Sequence, residues 1–348
     1  MVTLGIDAHK RTHTVVAVDV VGRQVGVRTT TATTSVAHLE LVRWAVRFGP
    51  DRCWAVEDCR HLSRRLEADL LRAGERIVRV PPKLMAQCRR SARTYGKSDP
   101  IDALAVARAA LREPTLPRAE LDGPARELRL LVDYRDDLVA ERTRIINRLR
   151  WHLHELDPTW DPPARSLIRW RNLELLAARL EVFGGLVARI AGELVAQTRD
   201  LTRHERALAK EITARVTRLA PTLLEVVGVG PLGAAKIVGE VADVRRFRSK
   251  DAFARHNGTA PLPVWSANQT RHRLSRTGNR QLNAALHRIA LTQARCYPEA
   301  IAYLQRRASR NNTPAEARRA LKRRLSDIVY RALFVDAQAL PARLDEAA

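Results

Sequence analysis

Four carboxylates stand where their combination can act on a phosphodiester. Asp7 closes an alternating segment, Val2 to Asp7, with Val2, Leu4 and Ile6 on one face. Glu57 closes a second apolar segment, and Asp99 and Asp102 lie in Lys97-Ser98-Asp99-Pro100-Ile101-Asp102-Ala103. Residues three apart on a helix share a face, so Asp99 and Asp102 can address one point. Mg²⁺ takes carboxylate and water oxygens, and two such ions about 3.5 to 4 Å apart can polarise a phosphodiester, activate the attacking oxygen and stabilise the leaving one. Each acid alone has an ordinary role: Asp7 ends a strand, Glu57 or Asp58 meets solvent, and Asp99 with Asp102 serves a helix N-terminus. Asp19, Asp58 and Asp69 are nearby residues of the same type, of which Asp58 competes with Glu57. The order of the surrounding elements favours the joint role.

Those elements read in sequence. Val2 to Asp7 alternates, Thr14 to Val20 is a β-branched run, and Gln24 to Thr30 follows a Val21-Gly22-Arg23 turn, which predicts an antiparallel meander of three strands. A helix over 35–48 with Ser35 as N-cap, a strand over 53–57, a helix over 62–73 closed by Gly74, and a strand over 76–80 ended by Pro81-Pro82 follow. A further helix opens with Ser98 or Asp99 as cap and Pro100 at its first position. The order βββαβαβ, then helix, predicts a mixed α/β sheet covered by helices, the strand order of the ribonuclease H fold.

A second constellation lies in the last third. Leu223 to Glu240 reads as an apolar helix, a Gly228-Val229-Gly230-Pro231 turn and another helix. This matches a helix-hairpin-helix, whose glycines let backbone N–H groups approach a phosphate; a tight connection between helices is the plain alternative. After a short helix near 247–254 comes a polar, irregular segment in which Ser266 is followed by Arg271, His272, Arg273, Arg276 and Arg280, before a helix beginning near Asn279. A serine hydroxyl among guanidinium groups is a reasonable nucleophile for a phosphodiester, because the cations stabilise the pentavalent transition state. Ser275 can equally contact phosphate or cap the helix, and the chemistry does not choose between the serines.

Between the two constellations the chain reads as all-helical. From Pro124 to Leu156 it is rich in Arg and Leu without glycine, with Leu131, Leu138 and Ile145 seven apart, and from about Gly185 to Leu219 Leu194, Leu201 and Leu208 repeat the spacing. Paired long helices are predicted, an antiparallel coiled-coil hairpin broken at Asp157-Pro158 and Asp161-Pro162-Pro163, packing within the chain or forming a dimer. The length of 348 residues accommodates two or three domains.

Composition narrows the partner. Lys and Arg number 61 against 38 Asp and Glu, a formal charge of +23 spread along the chain. The ratio of 54 Arg to 7 Lys fits a GC-rich codon bias, which explains Arg over Lys but not the surplus over acids. Nucleic acid is therefore the expected partner. The basic run Arg318, Arg319, Lys322, Arg323 and Arg324 is either part of that surface or a solvated helix face. No run approaches the roughly 18 to 20 apolar residues of a membrane span. Cys53, Cys59, Cys88 and Cys296 have neither zinc spacing nor disulfide density, so reduced thiols in a cytoplasmic protein are expected.

Gly5-Ile6-Asp7-Ala8-His9-Lys10, Ala55-Val56-Glu57, Lys97 to Ala103 and the block from Val227 through Arg280 together resemble the insertion-sequence family 110 transposases, grouped with the 116 and 902 elements and described as DEDD-type recombinases. The resemblance spans both ends of the chain in order. It implies a RuvC-like domain over 1–117 whose metal-binding set is Asp7, Glu57, Asp99 and Asp102, and a C-terminal transposase domain over 221–348 whose nucleophilic serine falls at Ser266; the helical spacer between them, over 118–220, rests on periodicity alone. It further implies two Mg²⁺ ions, a composite site joining the two domains, a covalent phosphoserine link to DNA, donor and target DNA paired through a structured bridge RNA, and a homo-oligomer, dimer or tetramer, at the bacterial nucleoid. Directly after Ser266, which Trp265 precedes, Ala267 stands where members commonly carry glycine, which permits backbone conformations that alanine resists.

Three functions fit these residues: a recombinase using Ser266 with metal held by the acids, a RuvC-like junction nuclease that uses water, and a non-catalytic nucleic-acid-binding protein. The first loses activity in Ser266→Ala, the second still cuts, and the third binds without any of the four acids.

Overall fold

Hydrogen bonding over the first eighty residues builds a five-stranded sheet. In the computed structural model β1 (Val2–Ala8) pairs antiparallel with β2 (His13–Val18), and β2 with β3 (Gln24–Thr29). β4 (Arg52–Glu57) runs parallel to β1, and β5 (Ile77–Val80) parallel to β4, giving the order β3-β2-β1-β4-β5. This is the ribonuclease H arrangement expected from the sequence. The structure describes residues 1–57, 60–81, 84, 85, 88, 98–113, 116, 118, 119, 123–266, 269–273 and 278–345, with backbone alone at 60, 61, 263–266, 269–273 and 341–345.

Period-two alternation sorts the central strand's residues onto two covered faces. Leu4, Ile6 and Ala8 pack with Trp54 and Val56 against α1 (Ser35–Val46) and α2 (Arg60–Arg72). The opposite face carries Val16, Val18 and Ala55 and is covered by α3 (Asp99–Arg112) through Ala103, Ala105, Val106, Ala107 and Ala109. Gly5 lies on this second face, where a Cβ would sit 2.2 Å from the Ala103 carbonyl and 2.4 Å from the Ala107 nitrogen. The absence of a side chain at Gly5 thus lets α3 rest directly on β1.

Local details depart from the sequence reading for physical reasons. Thr34, not Ser35, caps α1: Thr34 is extended and its hydroxyl accepts the Ala37 N–H. β2 stops at Val18 because the Asp19 carboxylate accepts the N–H groups of Val21 and Arg23, closing a turn. In α3 Ser98 occupies the N-cap position without a side-chain cap bond, and Asp99 precedes Pro100 inside the helix.

Contacts divide the chain into two compact units, 1–122 and 123–348. In the second, α4 (Pro124–Leu156) and α6 (Gly185–Leu219) pair antiparallel within the chain, Glu127 meeting Arg215 and Glu205 meeting Arg135 and Arg142. Leu138 and Ile145 of the predicted repeat are buried, and a helix not expected from the sequence, α5 (Trp170–Leu180), closes one end of the pair with Leu173, Leu176 and Leu180. The other end enters a core shared with α8 (Pro231–Val241), α10 (Arg280–Cys296) and α12 (Pro314–Asp345). Before α8 lies only a single helical turn, α7 (Pro221–Leu224), held by the Asp336 carboxylate on the Thr222 and Leu223 N–H groups, in place of the longer apolar helix expected there. After α9 (Lys250–His256) the expected irregular segment contains a hairpin, β6 (Leu262–Ser266) with β7 (Gln269–Arg273). α11 (Pro298–Ala308) precedes the final helix. No helix among the described residues is long and apolar enough to cross a membrane.

Candidate metal centre and serine hairpin

The fold brings three of the four acids to the end of β1. Asp7 faces the α3 side of the sheet, two residues beyond Gly5, and is 8% exposed. Because α3 lies on Gly5 through Ala103, its first turn arrives beside Asp7 carrying Asp99 and the buried Asp102. Carboxylates are favoured there by the unsatisfied N–H groups of the helix start. Glu57 ends β4, and since Ile6 pairs with Val56 the parallel register sets Glu57 level with Asp7 on the adjoining strand.

His9 joins these acids, a residue to which no role is assigned from sequence alone. Its Nε2 lies 3.0 Å from Asp7 Oδ2 and 3.5 Å from Asp99 Oδ1. One ligand atom from each of Asp7, His9 and Asp99 falls within 4.8 Å of the others. The signal was an Asp-x-His pair at the close of a strand. Burial pushes the Asp7 carboxyl above its ordinary range; His9 opposes that shift, while the charges of Asp102 and Asp99 add to it. Like charges crowded in a half-dry site repel, and a divalent cation relieves the crowding. Oxygen donors with one imidazole fit such a cation: carboxylates suit Mg²⁺ and Mn²⁺, and the imidazole adds a nitrogen that first-row metals accept.

The second constellation lies in the other unit. Ser266 closes β6 in register with Gln269, while Arg271 pairs with Val264 and Arg273 with Leu262. Alternate positions along paired strands share a face, so positions 262, 264 and 266 belong with 269, 271 and 273. Arg276, Ser275, Ala267 and Asp58 lie outside the described residues. Arg280 is exposed at the first position of α10, which Asn279 caps through the Leu282 N–H. The hairpin's root is tied down: the Asn279 N–H donates to the His256 carbonyl at 2.7 Å, and at Gly278, with φ +100°, a Cβ would lie 2.6 Å from that oxygen. Only glycine fits there. Gly228, with φ +88°, shapes the turn before α8, and Gly230 is that helix's N-cap.

Comparison with known proteins follows the same two blocks. A transposase family model described as DEDD_Tnp_IS110 matches residues 4–158, and one described as "Transposase IS116/IS110/IS902 family" matches residues 220–305. The chain is 28% identical to an uncharacterized 44.8 kDa protein of insertion element IS116 from Streptomyces clavuligerus, covering 94% of this chain and 93% of that one. It is 27% identical to an uncharacterized 42 kDa protein of insertion element IS900 from Mycobacterium paratuberculosis, covering 99% and 98%. Among solved structures, T. thermophilus RuvC in complex with a Holliday junction substrate matches 34% of this chain and 99% of its own at 17% identity and a TM-score of 0.28. A structure of Thermus thermophilus RuvC matches at 18% and 0.29. With both family models in order and between them covering more than half of its length, the chain belongs to the IS116/IS110/IS902 family of transposases.

Proposed function

We propose that this transposase recombines DNA by serine attack assisted by divalent metal. The observation that carries the reading is the convergence of Asp7, Asp99 and His9 within 4.8 Å, with Asp102 in the same helical turn as Asp99 and Glu57 level with Asp7 on the next strand. Asp7, Glu57, Asp99 and Asp102 hold the metal, Mg²⁺ in the first instance, and His9 orients the Asp7 and Asp99 carboxylates or joins them as a ligand. When bound, such ions neutralise charge on phosphodiester oxygens and lower the pKa of an attacking oxygen. The Ser266 hydroxyl loses its proton and forms a bond to phosphorus, displacing a deoxyribose oxygen that takes up a proton; attack by a second DNA hydroxyl then restores the serine. Arg271, Arg273, Arg276 and Arg280, which follow Ser266 in the sequence, supply guanidinium groups that favour the pentavalent state of the phosphate.

Gly228 and Gly230 offer backbone N–H groups to a further phosphate. The division of labour is a catalytic domain over 1–117, a helical spacer over 118–220 and a transposase domain over 221–348. Donor and target DNA are the substrates, an element-encoded bridge RNA selects them, and the protein works as a dimer or tetramer in the bacterial cytoplasm.

A recombination assay with donor and target plasmids and the element's flanking RNA tests this reading. Asp7→Asn, Glu57→Gln, Asp99→Asn, Asp102→Asn and Ser266→Ala should each remove the joined product. Cutting retained in Ser266→Ala refutes the serine step and leaves a nuclease that uses water. Binding unaffected by metal, with no product in any variant or in wild type, refutes both.

A further inference from the structure

Two cations in the described part of the chain are more than nine-tenths buried, Arg142 and Lys322. Arg142 is answered by Glu205, and the more exposed Arg52, Arg79 and Lys236 each face a carboxylate. Lys322 is different. Its Nζ donates to Asn283 Oδ1 at 2.6 Å, and no carboxylate among the described residues lies within ion-pairing distance. A buried ammonium without an opposite charge is costly, and burial holds the Lys322 pKa below the ordinary lysine range.

Arg318 adds positive charge beside Lys322, and His287 lies in the same field. His287, exposed, lies one turn beyond Asn283 on α10, and Arg318, half-buried, lies one turn before Lys322 on α12. Burial first, then Lys322 and Arg318, keep the His287 imidazole below its ordinary range, so the three groups share one field. Arg318 directs its Nε to the Pro314 carbonyl at 3.3 Å, not to an acid, and the nearby carboxylates of Asp251 and Asp327 are taken by Arg323. The amide that orients the lysine is itself fixed: Asn283 Nδ2 donates to the Asn257 carbonyl at 2.8 Å, and the fully buried Asn257 donates to Ser326 Oγ at 2.7 Å. A buried polar network thus holds an uncompensated cation at the seam between the two helices, with the Arg318 guanidinium and the His287 imidazole beside it.

We propose that the seam between α10 and α12, with Lys322 at its floor and His287 and Arg318 at its rim, is a phosphate-binding site for the backbone of a nucleic acid. The bound phosphate supplies the negative charge that the protein leaves out. The formal charge of +23 and the chain's family favour a nucleic-acid strand over a small anion as the source of that phosphate. The site requires only that the chain bind nucleic acid, the part of the proposed function on which it rests; it does not depend on Ser266 or on the metal-binding acids.

The test is fluorescence anisotropy of a labelled DNA duplex across a salt series, without added metal, using the full chain with Ser266→Ala throughout so that no cleavage intervenes. Lys322→Met should weaken binding about tenfold and lower the slope of log K against log salt by about 1, while Lys322→Arg keeps both near the parent. The double variant His287→Ala with Arg318→Ala, at the rim and independent of the buried network, should weaken binding in the same sense. Parent-like affinity and slope in that double variant overturn the proposal, also where Lys322→Met fails to fold. Inorganic phosphate that raises the melting temperature of the parent but not of Lys322→Met, with DNA affinity unchanged in both, marks a small-anion site and overturns the nucleic-acid assignment. Because binding is the readout, a failed serine or metal mechanism leaves this result interpretable, and the reverse holds.

Discussion

Gly5→Ala tests how the fold delivers its acids. The added methyl would meet the Ala103 carbonyl at 2.2 Å, the Ala107 nitrogen at 2.4 Å and the Ala107 Cβ at 2.7 Å, all part of one helix resting on one strand. Ordinary contact lies near 3.5 Å, so α3 must retreat from β1 by about 1 Å. Ala103 and Ala107 are fully buried, and overpacking of this kind costs about 1–3 kcal/mol, short of unfolding a domain of ordinary stability. The functional cost is larger than the stability cost. Asp99 and Asp102 ride on α3 while Asp7 stays on β1, so the retreat opens the carboxylate group, and misplacement by about 1 Å costs on the order of 100-fold in rate. Recombination is measured alongside urea unfolding. A folded Gly5→Ala protein that binds divalent cation and recombines at the wild-type level would refute the argument that this contact sets the site.

Other consequences follow from buried charge. His13 is 1% exposed, its ring 5.2 Å from that of His38, and burial, with His38 and His9 adding, lowers its pKa to about 4. A histidine neutral in the fold but titrating near 6.5 when unfolded contributes stability above pH 6.5 that is lost as pH falls toward 4, here about 3 kcal/mol. Urea melts between pH 7 and pH 4.5 should show the loss, and His13→Phe should flatten it; an unchanged slope contradicts the assignment. In the long hairpin, Glu205→Ala leaves the buried Arg142 with the Thr202 hydroxyl and should cost about 3–5 kcal/mol, whereas Arg142→Leu leaves Glu205 with Arg135 and should cost less. The reverse order in denaturation experiments would show that the pair does not pin the helices.

Much of this architecture is legible in the residues, and the exceptions have local causes. The bounds of the long helices, 124–156 and 185–219, follow from heptad spacing, glycine-free in the first of them, and from flanking prolines and glycines, because a strong period over thirty residues leaves few alternatives. The sheet order follows from the meander and the alternating helices. The hairpin at 262–273 is masked in the sequence by polar and arginine-rich composition: its pairing comes from backbone bonds, and its root from Gly278 held against the His256 carbonyl, a long-range contact that local pattern does not contain. The 170–180 helix carries Leu173, Leu176 and Leu180 at helical spacing, a short signal overshadowed by the neighbouring prolines. At the candidate site the acids are readable as types and positions. His9 is not, because its role depends on α3 arriving beside β1, which Gly5 permits.

The central claim is that the acids and Ser266 take part in one covalent reaction, and its most direct measurement is the detection and mapping of a protein–DNA adduct. The protein is incubated with Mg²⁺, its flanking element RNA and DNA carrying the element ends, then digested and analysed by mass spectrometry, with Ser266→Ala and Asp102→Ala in parallel. A nucleotide linked through phosphate to Ser266 in the wild type, and lost in both variants, is the predicted result. Cleaved DNA free of protein in the wild type, or an adduct that persists in Ser266→Ala, contradicts the account.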